Sequence, residues 1–259
     1  MSFGFKTAHS ASASLDRVIA ETVAPTHGAV MDITPYTIEI PDAQLADLHE
    51  RLDRTRWPAA LTDGWERGTP VRYAQRLAKY WRNDYDWRVE EAGLNRLPQF
   101  LATVDGQPIH GLQVRSTHPE AVPLLLCHGY PTSFVEFAGI AAALAEPSAT
   151  DAAAPAFHVV VPSIPGFGFS TPLTGHGWDI GRTARAFDEI MMELGYERYA
   201  VFGEDVGAGI SEQLCLDAGD HVIASLVATD PGAIATAYTP PTDHLTPVER
   251  EHHEALKAA

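Results

Sequence analysis

Basic residues are scarce in this chain. It carries 18 Lys and Arg against 34 Asp and Glu over 259 residues, a formal charge of −16. Such an excess repels phosphate backbones and anionic lipid surfaces, so neither nucleic acid nor a membrane is expected as a partner. Cysteine is scarcer still: Cys127 and Cys215 lie far apart, each inside an apolar segment. Two such thiols build neither a disulfide scaffold nor a metal knuckle, and both are expected to be buried and reduced. No apolar run approaches the roughly 20 residues that span a bilayer. The opening "MSFGFKTAHSASASLDRVIAE" lacks the continuous apolar stretch of a secretory signal. A soluble, cytoplasmic protein is the expectation. Apolar residues, by contrast, make up 45% of the chain, enough to bury a large core.

Residues 1–33 are rich in Ala, Ser and Thr without a sustained period, which predicts a loose N-terminal extension. "YTIEI" (36–40) alternates Tyr36, Ile38 and Ile40 and predicts a strand, with Asp42 as the N-cap of the next helix. Leu45, Leu48 and Leu52 give that helix an apolar stripe, and Pro58 ends the segment. Two further helices fit 70–82 and 86–96. In "QFLATVDGQPIHGLQVRS" two alternating runs flank Asp105-Gly106, the signature of a hairpin with a tight turn.

After residue 120 the pattern changes. "VPLLLC", "FHVVVP", "YAVFG" and "VIASLVAT" are short, nearly continuous apolar runs, as in strands buried on both faces of a parallel sheet. Helical stretches at 179–194 and roughly 207–218 separate the last three. Strand–helix–strand alternation predicts an α/β fold around a mostly parallel central sheet.

"VFGEDVGAG" (201–209) holds the sharpest motif. Gly203 and Gly207 stand two residues either side of Asp205, as small residues flank a nucleophile on a strand-to-helix elbow. A carboxylate there, at a helix N-terminus, stays ionised and can attack an electrophilic carbon to form an ester. It can equally serve as a plain helix cap. "LLLCHGYP" (124–131) ends a strand in His128-Gly129-Tyr130-Pro131. A His-Gly loop at that place offers a backbone N–H to an oxyanion hole, here that of Tyr130, and the residue after the nucleophile, Val206, offers another. His128 itself is read as structural.

From about residue 34 onward the chain resembles the epoxide hydrolases of the microsomal type, within the α/β-hydrolase superfamily. The similarity rests on "LADLHERLDRTRWP", "GWERGTPVRYAQRLAKYWRNDYDWR", "LNRLPQF", "HGYPTSFVEF", "VVVPSIPGFGFS", "LGYERYAVFGEDVGAG" and "GDHV", in that order. It implies an α/β-hydrolase fold with an epoxide hydrolase N-terminal region and first hairpin over 34–115, a core over 116–236 and the start of a cap over 237–259. It implies an epoxide as small-molecule substrate, a vicinal diol as product, Asp205 as nucleophile, and no metal or organic cofactor. The chain departs from the family pattern in having Tyr130 where Trp is usual and Thr132 where Gly is usual. Around the nucleophile, Glu204 replaces the usual Gly, and Val206 the usual aromatic residue or His. Alternation along the strand is expected to turn Glu204 away from Asp205.

The family mechanism also needs cap tyrosines, and a histidine with its acid downstream of the elbow. Asp230, after a strand end, is a candidate acid, though an Asp-Pro turn explains it as well. His244, His252 and His253 fit a solvated helix face, and Tyr238 comes early for a cap tyrosine. Thr246-Pro247-Val248-Glu249 has the cap, Pro and Glu of a helix start. The last strands, most of the cap and the water-activating pair are therefore expected to be missing. A strand as apolar as "VIASLVAT" should need a neighbour, from more chain, a second copy or another subunit. Two alternatives stand beside the hydrolase: a haloalkane dehalogenase, whose usual Trp after the nucleophile Val206 does not supply, and a catalytically incomplete fold used as a binding module.

Overall fold

The apolar runs of the second half are strands, and they assemble beside the predicted hairpin. The computed structural model describes residues 31–60, 62, 64–147, 154–229, 245–250 and 254. Residues 1–30, with most of the predicted extension, lie outside that set. So do Asp230, Tyr238, His244, His252 and His253.

Residues 31–36 together with the chain from Leu97 onward form one compact unit. Its strands are β1 (Ile33–Pro35), β2 (Gln99–Val104), β3 (Gln107–Val114), β4 (Val122–Cys127), β5 (Phe157–Pro162), β6 (Tyr199–Glu204) and β7 (Val222–Ala228). They make one sheet in the order β1-β2-β3-β5-β4-β6-β7. Pairing is antiparallel from β1 across to β5, and parallel from β5 through β4 and β6 to β7. The β2–β3 turn is the predicted one, with Asp105 and Gly106 at φ 50° and 74°. This is the α/β-hydrolase arrangement, with the parallel half carrying the helical crossovers.

Those crossovers in this unit are α4 (Val135–Ala145), α5 (Ile180–Glu193) and α6 (Val206–Asp217). Asp179 caps α5 by accepting from the Arg182 amide at 2.8 Å. The predicted α5 face is buried at Ala184, Phe187, Met191 and Leu194, and packs with Phe100, Leu125 and Tyr199 in one core. Tyr199 is buried, and its hydroxyl donates to Asp188 Oδ1 at 2.8 Å, the atom that His221 Nδ1 also reaches at 2.9 Å. Its ring thus joins the core without an orphaned oxygen.

Residues Thr37–Arg96 form a second compact unit. It holds α1 (Asp42–Asp53), α2 (Val71–Asn83) and α3 (Trp87–Leu94). Leu45, Leu48 and Leu52 are half-buried along one face of α1, as their spacing predicts.

Three expectations need correction. Residues 36–40 are not a strand, because side chains take the bonds a partner strand would have made. Asn95 accepts from the Ile38 amide and donates to the Ile38 carbonyl, both at 2.8 Å, and Glu91 accepts from the Ile40 amide at 2.7 Å. Asp42 is not the N-cap: the helix already includes it, and its carboxylate pairs with Arg88 instead. Cys215 is exposed, while Cys127 is buried as expected. The apolar neighbourhood of Cys215 misleads because the buried face of α6 runs through Ile210 and Leu214 and leaves 215 and 216 outside. Strand β7 pairs with β6, but its faces are largely exposed among the described residues.

Candidate active site

β4 sits between β5 and β6, so the chain leaves it toward one side and returns on the other. Crevices at such switch points, outside the C-terminal strand ends, are where open α/β sheets bind ligands. Cys127 of β4 is in register with Gly203 of β6, which brings the His128–Pro131 loop against the elbow at Asp205.

The elbow is as tight as its glycines predict. Asp205 has φ 50° and ψ −117°, a conformation that costs a residue with a side chain on the order of 1–3 kcal/mol. A Cβ on Gly203 would stand 2.1 Å from the Gly207 carbonyl oxygen, and one on Gly207 would stand 2.1 Å from that of Cys127. Gly129 is equally confined, since a Cβ there would lie 2.8 Å from the Cβ of Asp205. Strand, helix and loop therefore approach backbone to backbone, and the strain at Asp205 is held by that packing.

The carboxylate of Asp205 makes no capping bond to α6. The helix-cap reading consequently has no bond behind it. Instead the Tyr130 N–H donates to Asp205 Oδ1 at 2.8 Å. Asp205 and Tyr130 are both exposed. Phe167 meets the Tyr130 ring edge-on, with centroids 6.2 Å apart. No hydrogen bond from the Val206 amide to Asp205 is present among the described residues.

His128 is fully buried, and both its nitrogens are engaged. Nε2 accepts from the Ile164 amide at 3.1 Å, which leaves the proton on Nδ1 to be donated to the Gly129 carbonyl at 3.1 Å. Burial lowers its pKa, more than Gly129 and Glu204 raise it, so the ring stays neutral. Such a histidine braces the loop. Glu204 is half-buried, and Glu136 of α4 bears on its carboxyl group. Burial first, then Glu136 and Asp205, lift its pKa above the ordinary carboxylate range.

Reading the sequence noted Thr132 without giving it a role and missed Glu136. The hydroxyl of Thr132 lies 2.9 Å from both the Gly129 carbonyl and Glu136 Oε1. An acidic residue one helical turn beyond the His-Gly loop was the available signal. The candidate acid Asp230 lies outside the described residues. Among the described residues no three His, Cys, Asp or Glu side chains converge as metal ligands. Nor is any described helix long and apolar enough to cross a membrane.

Sheet order, elbow and loop together define an α/β-hydrolase, and residues 122–254 match the family described as alpha/beta hydrolase fold. Residues 33–137 match the family described as Epoxide hydrolase N terminus. A Stigmatella aurantiaca protein named "Putative epoxide hydrolase" is 46% identical over 184 residues, covering 70% of this chain and 42% of its own length. Epoxide hydrolase 1 of Oryctolagus cuniculus is 33% identical over 199 residues, covering 73% of this chain and 43% of its own. Among solved structures, the juvenile hormone epoxide hydrolase of the silkworm Bombyx mori superposes with a TM-score of 0.70 at 29% identity, over 80% of this chain and 54% of that one. This chain belongs to the epoxide hydrolases of the α/β-hydrolase superfamily. It spans less than half the length of the curated relatives it matches.

Proposed function

We propose that this protein hydrolyses an epoxide to a vicinal diol through an ester on Asp205. The contact from the Tyr130 amide to Asp205 Oδ1 carries the reading. When an aspartate is the nucleophile, the carbonyl attacked by water in the second step is the aspartate's own. An oxyanion donor must then touch one carboxylate oxygen and leave the other free to react. The Tyr130 N–H does so, while the strained elbow holds the carboxylate forward and no capping bond draws it back.

In the first step the free oxygen of Asp205 attacks a ring carbon, the C–O ring bond breaks, and the alkoxide takes a proton to become a hydroxyl. In the second, water adds to the Asp205 carboxyl carbon. The negative charge on Oδ1 is held by the Tyr130 amide, with Val206 as a second donor, and collapse releases the diol. His128 is committed to its structural bonds, so another base activates the water; Asp230 is retained as a candidate acid. Residues 34–115 serve as the N-terminal region with the first hairpin, 116–236 as the hydrolase core and 237–259 as the start of the cap. The apolar face of β7 is covered by further chain, a second copy or another subunit.

The test is single-turnover reaction with an aromatic epoxide, quenched and mapped by peptide mass spectrometry. An adduct on Asp205 is expected, and none in Asp205→Ala. Undiminished diol formation by Asp205→Ala overturns the assignment. Halide release from haloalkanes without diol formation moves it to the dehalogenase.

A further inference from the structure

A series of hydrogen bonds crosses the sheet from β3 to the elbow, and every donor in it points the same way. The His110 N–H on β3 donates to Ser170 Oγ at 3.0 Å, and that hydroxyl donates to the Ser163 carbonyl, just past β5, at 2.7 Å. The Ser163 carbonyl and the Ile164 N–H are opposite ends of one peptide, and this N–H donates to His128 Nε2 at 3.1 Å. His128 carries the direction through its ring, with Nδ1–H on the Gly129 carbonyl at 3.1 Å. That carbonyl shares a peptide with the Tyr130 N–H, which ends the series on Asp205 Oδ1 at 2.8 Å. Each proton in the series serves a single acceptor. The path follows the sheet order β3-β5-β4-β6, and His110, Ser163, Ser170 and His128 along it are completely buried.

We propose that Ser170 is a positioning residue, whose hydroxyl sets the Ser163–Ile164 peptide and, through His128, aims and polarises the Tyr130 amide that touches Asp205. A trans peptide is a rigid plane, so holding its carbonyl fixes where its N–H points. Hydrogen bonds in series also polarise one another, by about 10–30% per bond, and burial away from water preserves the effect. Since every positive end faces Asp205, the series favours negative charge on Oδ1. A neutral imidazole donates from one nitrogen and accepts at the other, so the series admits one tautomer of His128, with its proton on Nδ1. Without the Ser170 hydroxyl, the Ser163 carbonyl and the His110 N–H lose these partners and the Ser163–Ile164 peptide is free to turn. The hold on His128 then loosens, and the Tyr130 amide is aimed less firmly. Negative charge develops on Oδ1 when water adds to the ester, so the catalytic meaning of the series rests on the proposed function; its physical content does not.

The experiment is NMR on isotope-labelled protein without substrate. Long-range nitrogen–proton spectra of the wild type should place the His128 proton on Nδ1 and leave Nε2 bare. Ser170→Ala should move the Tyr130 amide proton upfield and quicken its exchange about fivefold, as for the loss of roughly a fifth of an amide bond's strength. Ser170→Cys, a weaker donor of nearly the same size, should fall between the two. Thr174→Val removes a hydroxyl of the same loop that donates to Gln107 Oε1 at 3.2 Å, outside the series, and should leave Tyr130 unmoved. Amides of Leu125 and Val160 in the sheet should exchange alike in all four proteins; if Ser170→Ala disturbs them, Ser170→Cys is read in its place. A proton on His128 Nε2 overturns the proposal without any variant. So does a Tyr130 signal that loss of the Ser170 hydroxyl leaves in place, or one that Thr174→Val moves as far. Failure of Asp205 to form an ester in the mapping experiment counts against the hydrolase reading alone.

Discussion

The helical unit Thr37–Arg96 and the sheet unit are held together in different ways. In the sheet unit, residues such as Phe100, Phe187 and Tyr199 are completely buried, and backbones meet at the elbow with no room for a methyl group. In the helical unit, α1 and α2 contain no fully buried residue, and Trp65, Tyr73, Leu77 and Tyr80 are exposed. What organises that unit is a set of side-chain hydrogen bonds: Asn95 on both polar groups of Ile38, and Glu91 on the Ile40 amide, the Trp87 indole and the Arg88 guanidinium. Burial stabilises broadly and forgives little in shape. Polar staples stabilise at points, and each can be removed without opening the rest.

The largest effect expected from this contrast comes from Gly207→Ala. A methyl group 2.1 Å from the Cys127 carbonyl forces apart the crossing of α6 and β4. The expected loss is about 4 kcal/mol or more in urea unfolding, or failure to yield folded protein. Stability within about 1 kcal/mol of wild type would show that the elbow is looser than its geometry implies.

Asn95→Ala should be milder and local. It leaves the amide and carbonyl of the buried Ile38 without those partners, at a cost of about 1–3 kcal/mol. Exchange should quicken across 37–96 while amides of β4 and β6 stay protected. Equal quickening in both units would mean that they unfold as one.

Acid should act on the same unit. Glu91 is held below its ordinary pKa, chiefly by the Ile40 amide and further by Arg88 and Trp87, although burial pulls the other way. A depressed folded-state pKa stabilises fully above the unfolded value of about 4.3, and that contribution fades as pH falls through the folded value. Protection in 37–96 should therefore drop below about pH 4.3, and Glu91→Gln should flatten that limb. The smallest effect belongs to Leu77→Ala on the open face of α2, expected within about 0.5 kcal/mol by thermal unfolding.

Legibility in the sequence followed the same division. Strands β4 to β7 stood out because strands in a parallel sheet are apolar along their whole length, and the elbow because crowding at a strand-to-helix crossing demands glycines at fixed spacing. The capping box at Thr246 could be read for a similar reason, since its bonds are local. The Thr246 amide donates to Glu249 at 2.7 Å, and the Glu249 amide donates back to Thr246 Oγ1 at 3.4 Å. Residues 36–40 misled because their alternation is that of a strand, while their bonding partners sit some fifty residues on, in side chains. Cys215 misled because an apolar neighbourhood in sequence says nothing about which side of a helix faces the core.

By itself, then, the sequence determined what depends on short-range periodicity and sterics: the α/β alternation, the hairpin, and an aspartate flanked by glycines after a buried strand. The tertiary structure alone decided where that carboxylate points and what touches it. The Tyr130 amide is 75 residues away from Asp205, and the Ile164 amide that His128 accepts from is 36 residues beyond it. Contacts of that kind are set by how β4 lands beside β6 in register, and no local preference encodes a register between distant segments.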